Sequence, residues 1–324
     1  MEGMKVRKEV LVTGGAGFIG ANFIQYLLDH TSYHITNIDS LTHSANPAAL
    51  IQFSKSPYYR FYQVDLCNQD QLNKVFDRQY DVIIHFAALT DVNERKYSPI
   101  DFYDVNVLGT MNLLEKVKQG YAGKFIYVST GKVYGGLEEK ERPSTEEAVI
   151  NPNNRYVESK VSGEMIVRSY IKAFQIPAII TRSSNNYGPY QQKQKLIPTV
   201  ILNALEEKEI PIYGDGQHVR DWIFVKDHCR AIYTVLEHGK LGEVYNISGG
   251  RERSTLDVVK LILDYMNKSH HLIRHAADRE EGGRRYALNW EKINFTLGWK
   301  PETSFYKGLI ETIEWFEAKH MQKI

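Results

Sequence analysis

The feature that most restricts how this chain can fold is a glycine-rich turn, Gly14-Gly15-Ala16-Gly17-Phe18-Ile19-Gly20. It lies between a β-rich run at Glu9–Thr13 and a helical pattern at Phe18–Leu28. Gly14 permits the tight turn, and Gly17 lets backbone N–H groups approach a pyrophosphate. Gly20 lets the helix pack close to the strand, so that phosphate sits on the helix N-terminus. A glycine pattern alone is a weak signal, because tight βα turns also exist without ligands. Here Asp39 follows about twenty residues later, at the end of the next strand-like run, where a carboxylate binds adenosine ribose hydroxyls and repels a 2′-phosphate. The expected cofactor is therefore NAD rather than NADP, with Gly14, Gly17, Phe18, Ile19, Gly20 and Asp39 as its binding set. Asp65, after the third strand-like run, either reaches the adenine or caps the strand end.

Strand-like and helix-like patterns alternate from there. Tyr33–Asp39 and Arg60–Val64 read as strands, Gln69–Phe76 as a helix, Tyr103–Gln119 as a helix and Lys124–Ser129 as a strand. Asp81–Ala87 is a continuous apolar run, as a parallel strand buried on both faces requires. Alternation with short connections predicts an α/β fold, a doubly wound parallel sheet of Rossmann type. The NAD-binding domain is expected over residues 1–183, ending with the strand Ala178–Ser183. Residues 184–324 carry longer Gly-, Pro- and Tyr-bearing loops and predict a smaller C-terminal substrate-binding lobe. Strands near Ile223 and Val244 are expected to return to the first domain.

Balanced charge, 40 basic against 39 acidic residues, argues against a nucleic-acid or membrane-surface partner. The longest apolar runs are far short of a membrane span, and no signal peptide is read at the N-terminus, so a cytoplasmic location is expected. Cys67 and Cys229 are too few for a disulfide framework or a metal cluster, and no metal site is expected.

Tyr156-Val157-Glu158-Ser159-Lys160 sets a phenol and an ammonium one helical turn apart on one face. The ammonium lowers the phenol's pKa, and a phenolate can take a hydroxyl proton while hydride leaves for a nicotinamide. Ser129-Thr130, at the end of a parallel strand, supplies a hydroxyl for the same substrate oxygen. Thr130, Tyr156 and Lys160 are the expected catalytic set, and Tyr156 and Lys160 are also expected to bind the cofactor.

Together with GGAGFIG, Phe86-Ala87-Ala88 and the Asn106–Thr110 helix start, these motifs resemble the extended short-chain dehydrogenases. Asn185-Asn186-Tyr187-Gly188-Pro189-Tyr190, Lys195–Pro198, Tyr213–Gly216, Val219–Trp222 and Arg284–Ala287 look like the dTDP-glucose 4,6-dehydratases, over almost the entire chain. The resemblance implies that Asn185, Lys195 and Arg220 bind a nucleotide diphosphate, that Pro211–Tyr213 lies beside the base, and that the chain forms a homodimer. Arg and Lys suit a diphosphate, and Tyr213 offers a flat face.

In that family a Thr-Asp-Glu run supplies the acid and base that eliminate water across C5 and C6 of the sugar. Here the run reads Thr130-Gly131-Lys132. The leading expectation is decarboxylation of a UDP-hexuronate (UDP-glucuronate or UDP-N-acetylglucosaminuronate) to a UDP-pentose-type sugar. Oxidation at C4 makes the carboxylate β to a ketone, and Lys132 pairs with that carboxylate. An alternative is a 4,6-dehydratase on a dTDP- or UDP-sugar, with acid and base recruited from Asp91, Glu94 or Glu158. Further alternatives are a 4-epimerase and a non-catalytic sugar-nucleotide binder. Lys132 is read either as a carboxylate clamp or as a solvent-facing loop residue, and Asp91 also as a helix cap.

Overall fold

The structure, a computed structural model, describes residues 7–90, 97–278 and 283–321. Asp91 and Glu94 lie outside the described residues. Two compact units form: Met1–Ser129 with Arg155–Thr181 and Val235–Val244, and Thr130–Asn154 with Arg182–Thr234 and Tyr245–Ile324.

The strands are β1 (Glu9–Thr13), β2 (His34–Asp39), β3 (Tyr59–Gln63), β4 (Val82–His85), β5 (Phe125–Thr130), β6 (Ala178–Ser183), β7 (Asn185–Tyr187), β8 (Ile210–Tyr213), β9 (Val219–Phe224), β10 (Val244–Ile247), β11 (Glu252–Ser254), β12 (Ile273–Ala276) and β13 (Arg285–Tyr286). The helices are α1 (Phe18–His30), α2 (Pro47–Phe53), α3 (Gln69–Val75), α4 (Pro99–Tyr103), α5 (Gly109–Lys118), α6 (Arg155–Phe174), α7 (Leu196–Leu205), α8 (Val225–His238), α9 (Thr255–Tyr265), α10 (Glu291–Leu297) and α11 (Phe305–Met321).

The apolar runs do build the expected sheet. Seven strands lie in the order β10-β6-β5-β4-β1-β2-β3, with β1 parallel to β2 and β4, β2 parallel to β3, and β4 parallel to β5. Val10, Leu11, Val12, Ile83 and Ile84 are wholly buried, as central strands covered on both faces require. The strand order reverses between β1 and β4, and α/β sheets bind ligands at the carboxyl ends of strands flanking such a reversal. The glycine turn follows directly from β1.

In the second unit β9 pairs with β7, β11 and β13, and β8 pairs with β12. Its core gathers Tyr187, Ile201, Trp222, Phe224, Ile262, Phe305 and Ile313. The strand through Val244 joins the seven-stranded sheet, whereas the strand through Ile223 does not. Residues Trp222–Phe224 pair with Asn185–Tyr187, and Val219–Asp221 pair with β11 and β13, so the hydrogen-bonding edges of β9 are taken.

The helix expected over Tyr103–Gln119 is interrupted by a π-helical turn at Asp104–Leu108. Asn106, buried in that turn, explains the interruption. Its Oδ1 accepts from Leu89 N (2.7 Å), while its Nδ2 donates to Leu89 O (3.0 Å) and Ser159 Oγ (2.8 Å). Such turns often occur where a helix serves a site, and Ser159 is the neighbour of Lys160. Among the described residues no helix is long and apolar enough to cross a membrane.

Candidate active site

The glycine turn is held from below by polar side chains. Asn37 Oδ1 accepts from Gly15 N (3.1 Å), and Asp39 accepts from Ala16 N (2.9 Å) and Leu41 N (2.8 Å) through different oxygens. A Cβ at Gly20 would stand 2.3 Å from the Gly14 carbonyl oxygen, so only glycine lets α1 start this close. Gly17 caps α1 with no side-chain hydrogen bond, which leaves first-turn N–H groups available to a phosphate. Phe18 is buried and Ile19 half-buried in that first turn. Burial raises the Asp39 carboxyl against the pull of the Leu41 and Ala16 N–H groups. Each of its oxygens keeps a further lone pair for a ribose hydroxyl. These residues fit an adenosine diphosphate. Asp65 is exposed and accepts from Cys67 N (2.9 Å), bracing the turn after β3.

Lys160 is 2% exposed. Its Nζ donates to the Val128 carbonyl (2.8 Å) and lies 4.1 Å from the centroid of the Tyr127 ring. Burial pulls the amine down to about 7, opposed by Glu164, one turn further along α6 and fully buried. Tyr156, half-buried, lies one turn earlier on the same helix. Val128 is two residues before Thr130 on β5, so the strand that carries the hydroxyl also holds the lysine. His85 is fully buried, with Nδ1 at 2.7 Å from Thr13 Oγ1 and Nε2 at 3.0 Å from Thr110 Oγ1. Burial and then the Lys160 charge hold it well below the usual imidazole range, so it is neutral. Neither Glu164 nor His85 was singled out from sequence. The i+4 spacing from Lys160 could have pointed to Glu164, and a histidine inside the apolar run of β4 could have pointed to His85. Glu158 is exposed and takes a hydrogen bond from Tyr103.

In the second unit Lys132 is not a solvent-facing loop residue. It is half-buried in a 3-10 turn, Gly131–Tyr134, where its N–H donates to Thr130 Oγ1 (3.3 Å). Lys132, Asn185, Ser184 and Asp221 line one cleft. Desolvation, then the charges of Arg220 and Lys195, pull the Lys132 amine down to about 8. Among the described residues no carboxylate pairs with Lys132, Lys195 or Arg220. Arg220 donates to the Val219 and Arg284 carbonyls and stacks over the Tyr286 ring. The Ser184 hydroxyl is buried in the cleft without a partner among the described residues. Lys132 and Asn185 thus share the cleft, and Arg220 and Lys195 lie near enough for their charges to act on Lys132. Tyr213 ends β8, 39% exposed, and is not among the residues lining this cleft.

A parallel sheet reversing beside a glycine turn, with a buried Tyr-x-x-x-Lys helix, defines an extended short-chain dehydrogenase. More narrowly, the chain belongs to the GDP-mannose 4,6 dehydratase family, whose model matches residues 11–312. The dTDP-glucose 4,6-dehydratase of Haemophilus influenzae is 39% identical over 95% of this chain and 97% of its own length. A crystal structure of dTDP-glucose 4,6-dehydratase from Bacillus anthracis, in complex with NAD, is 44% identical with a TM-score of 0.90, covering 97% of this chain and 98% of that one. DesIV, a dTDP-glucose 4,6-dehydratase from Streptomyces venezuelae solved with NAD bound, is 36% identical with a TM-score of 0.92 over the same shares.

Proposed function

We propose that the chain is an NAD-dependent nucleotide-sugar lyase of the 4,6-dehydratase kind, acting through transient oxidation at C4 of the hexose. The observation that carries this reading is Lys160, buried on the Val128 carbonyl one helical turn from Tyr156, in a chain whose full-length relatives are dTDP-glucose 4,6-dehydratases. Bound NAD supplies the hydride acceptor and returns the hydride at the end of the cycle. Gly14, Gly17, Phe18, Ile19, Gly20 and Asp39 hold it, with Asp65 beside the adenine. Tyr156 takes the C4 hydroxyl proton, Lys160 stabilises the phenolate, and Thr130 orients the C4 oxygen. Lys195 and Arg220 bind the diphosphate, Asn185 lies alongside it, and Tyr213 stands beside the base. The ketone at C4 acidifies the C5 proton, and water leaves from C5 and C6. The working form on this reading is a cytoplasmic homodimer, which light scattering and cell fractionation check.

One observation favours a second reading. A nucleotide diphosphate linked to a sugar brings two negative charges, and the cleft lysine, Lys132, with Arg220 and Lys195 whose charges reach it, makes three cations with no carboxylate partner among the described residues. A C6 carboxylate on the sugar would match the third. Lys132 would then hold a UDP-hexuronate, and carbon dioxide would leave in place of water.

Mass spectrometry of products separates the two. Purified protein with NAD is given dTDP-glucose, UDP-glucose, UDP-N-acetylglucosamine, UDP-glucuronate and UDP-N-acetylglucosaminuronate. Loss of water from a neutral sugar supports the dehydratase. Loss of carbon dioxide from a uronate alone overturns it in favour of the decarboxylase.

A further inference from the structure

Elimination of water from a C4 ketone needs one group to take the C5 proton and one to protonate the departing C6 oxygen. Position 131 can supply neither. Glycine has no side chain to offer, and a Cβ at position 131 would stand 2.5 Å from Leu288 Cδ1 and 2.9 Å from its Cγ, so any side chain there would have to displace Leu288. Asp221 lines the same cleft, and burial lifts its carboxyl to about 6. Both its oxygens are committed, however. They accept from Ser248 Oγ, Arg251 N (3.1 Å) and Leu288 N (3.4 Å), so Asp221 ties β9 to its neighbouring loops.

Lys132 is the opposite case. It is two residues beyond Thr130, it lines the cleft, and its amine has no hydrogen-bond or ion-pair partner among the described residues.

We propose that Lys132 alone carries the proton through the elimination: its amine takes the C5 proton and, as the ammonium, delivers that proton to the leaving C6 oxygen. The proposal rests on the reading of the chain as a C4-oxidising nucleotide-sugar dehydratase. The C5–H electron pair becomes the enolate of the C4 ketone. That pair then forms the C5–C6 double bond as the C6–O bond breaks, and the oxygen leaves as water with the proton from Lys132. The amine is regenerated, and no other acid, base or oxidant is consumed.

The surroundings suit both halves of the step. Arg220 on β9 and Lys195 ahead of α7 add to the desolvation that brings Lys132 to about 8. Near neutrality a useful fraction of the amine is then free to accept, and its ammonium is a stronger acid than that of a solvated lysine. Asp221 and Tyr286 are the other titratable groups lining the cleft, beside the neutral Ser183, Ser184 and Asn185.

The test compares wild type with Lys132→Ala and Lys132→Arg, each with NAD and the neutral sugars of the panel. Reduced nicotinamide is followed by its near-ultraviolet absorbance, and water loss by mass. In Lys132→Ala, reduced nicotinamide and the C4 ketone should accumulate while water loss falls by at least about a hundredfold. Ethylamine should restore water loss in that variant. Lys132→Arg, whose guanidinium keeps its proton, should also accumulate reduced nicotinamide and gain nothing from the amine. Cofactor reduction in the variants certifies that they are folded. Water loss by Lys132→Ala within a few-fold of wild type overturns the proposal alone. So does joint loss of reduction and elimination, which would make Lys132 a binding residue, or a lack of response to added amines. A wild type that removes water from no neutral sugar overturns the dehydratase reading and this step with it.

Discussion

Around Lys160 every neighbour holds the amine in place: the Val128 carbonyl accepts from it, the Tyr127 ring lies under it, and Glu164 favours its charge. Around Lys132 the neighbours do the reverse, since Arg220 and Lys195 repel its charge and no acceptor among the described residues meets its amine. Both amines are drawn down from the ordinary lysine range by desolvation. The first has a fixed role that the folded chain supports before anything binds. The second is an uncompensated group, and removing a cation from water without a partner is costly unless a ligand or a reaction uses it.

The largest effect should come from Tyr156→Phe, which leaves Lys160 in its surroundings without the group it serves. Turnover should fall by about a thousandfold or more, while calorimetry finds NAD binding nearly unchanged. If turnover survives, the Lys160 region is structural and the contrast between the two amines collapses.

Lys160→Met should slow turnover by roughly a hundredfold and also alter the pH dependence of folding. With its folded pKa near 7 against an ordinary 10.5, Lys160 binds fewer protons folded than unfolded between those values. Stability should therefore rise with pH across that window, by up to about 1.4 kcal/mol per pH unit. Below about pH 7 the full desolvation cost is present. Chemical denaturation from pH 6 to pH 10 should show that slope in the wild type and a reduced one in Lys160→Met. Lys132→Met should remove a narrower contribution, beginning near pH 8. Equal slopes in all three proteins would mean that neither amine is desolvated as described.

A smaller change is expected from Asp39→Ala, because the turn keeps its glycines and Asn37. NAD affinity should drop about tenfold, as expected for losing a charge-assisted hydrogen bond, and the preference over NADP should shrink. Smallest of all, Gly131→Ala should lower stability by on the order of 1 kcal/mol through overpacking against Leu288. Adding Leu288→Ala should remove that sensitivity to residue 131 in a double-mutant cycle.

What could be read from sequence follows how local each determinant is. The glycine turn, Asp39 and the Tyr156–Lys160 pair are set by spacing along one strand or helix, and they stand where spacing placed them. The doubly wound sheet was legible because central strands such as β4 are continuous apolar runs and the strand and helix patterns alternate. The strand through Ile223 was assigned to the wrong sheet because its partners β7, β11 and β13 are only three, three and two residues long, too short to show a period. The cleft is assembled from residues 131–132, 183–185, 221 and 286–288, and no local pattern announces such a meeting. Lys195 and Arg220 came from family resemblance, while Asp221 and Leu288 left no signal that spacing could reveal.

The contact between Gly131 and Leu288 also limits what can be substituted into this chain. Two positions far apart in sequence should be epistatic: a carboxylate introduced at 131 meets Leu288 until residue 288 becomes smaller. A side chain at 131 therefore waits on a change at 288, so one leucine of the cleft lining acts as a gatekeeper over the chemistry its neighbour can carry.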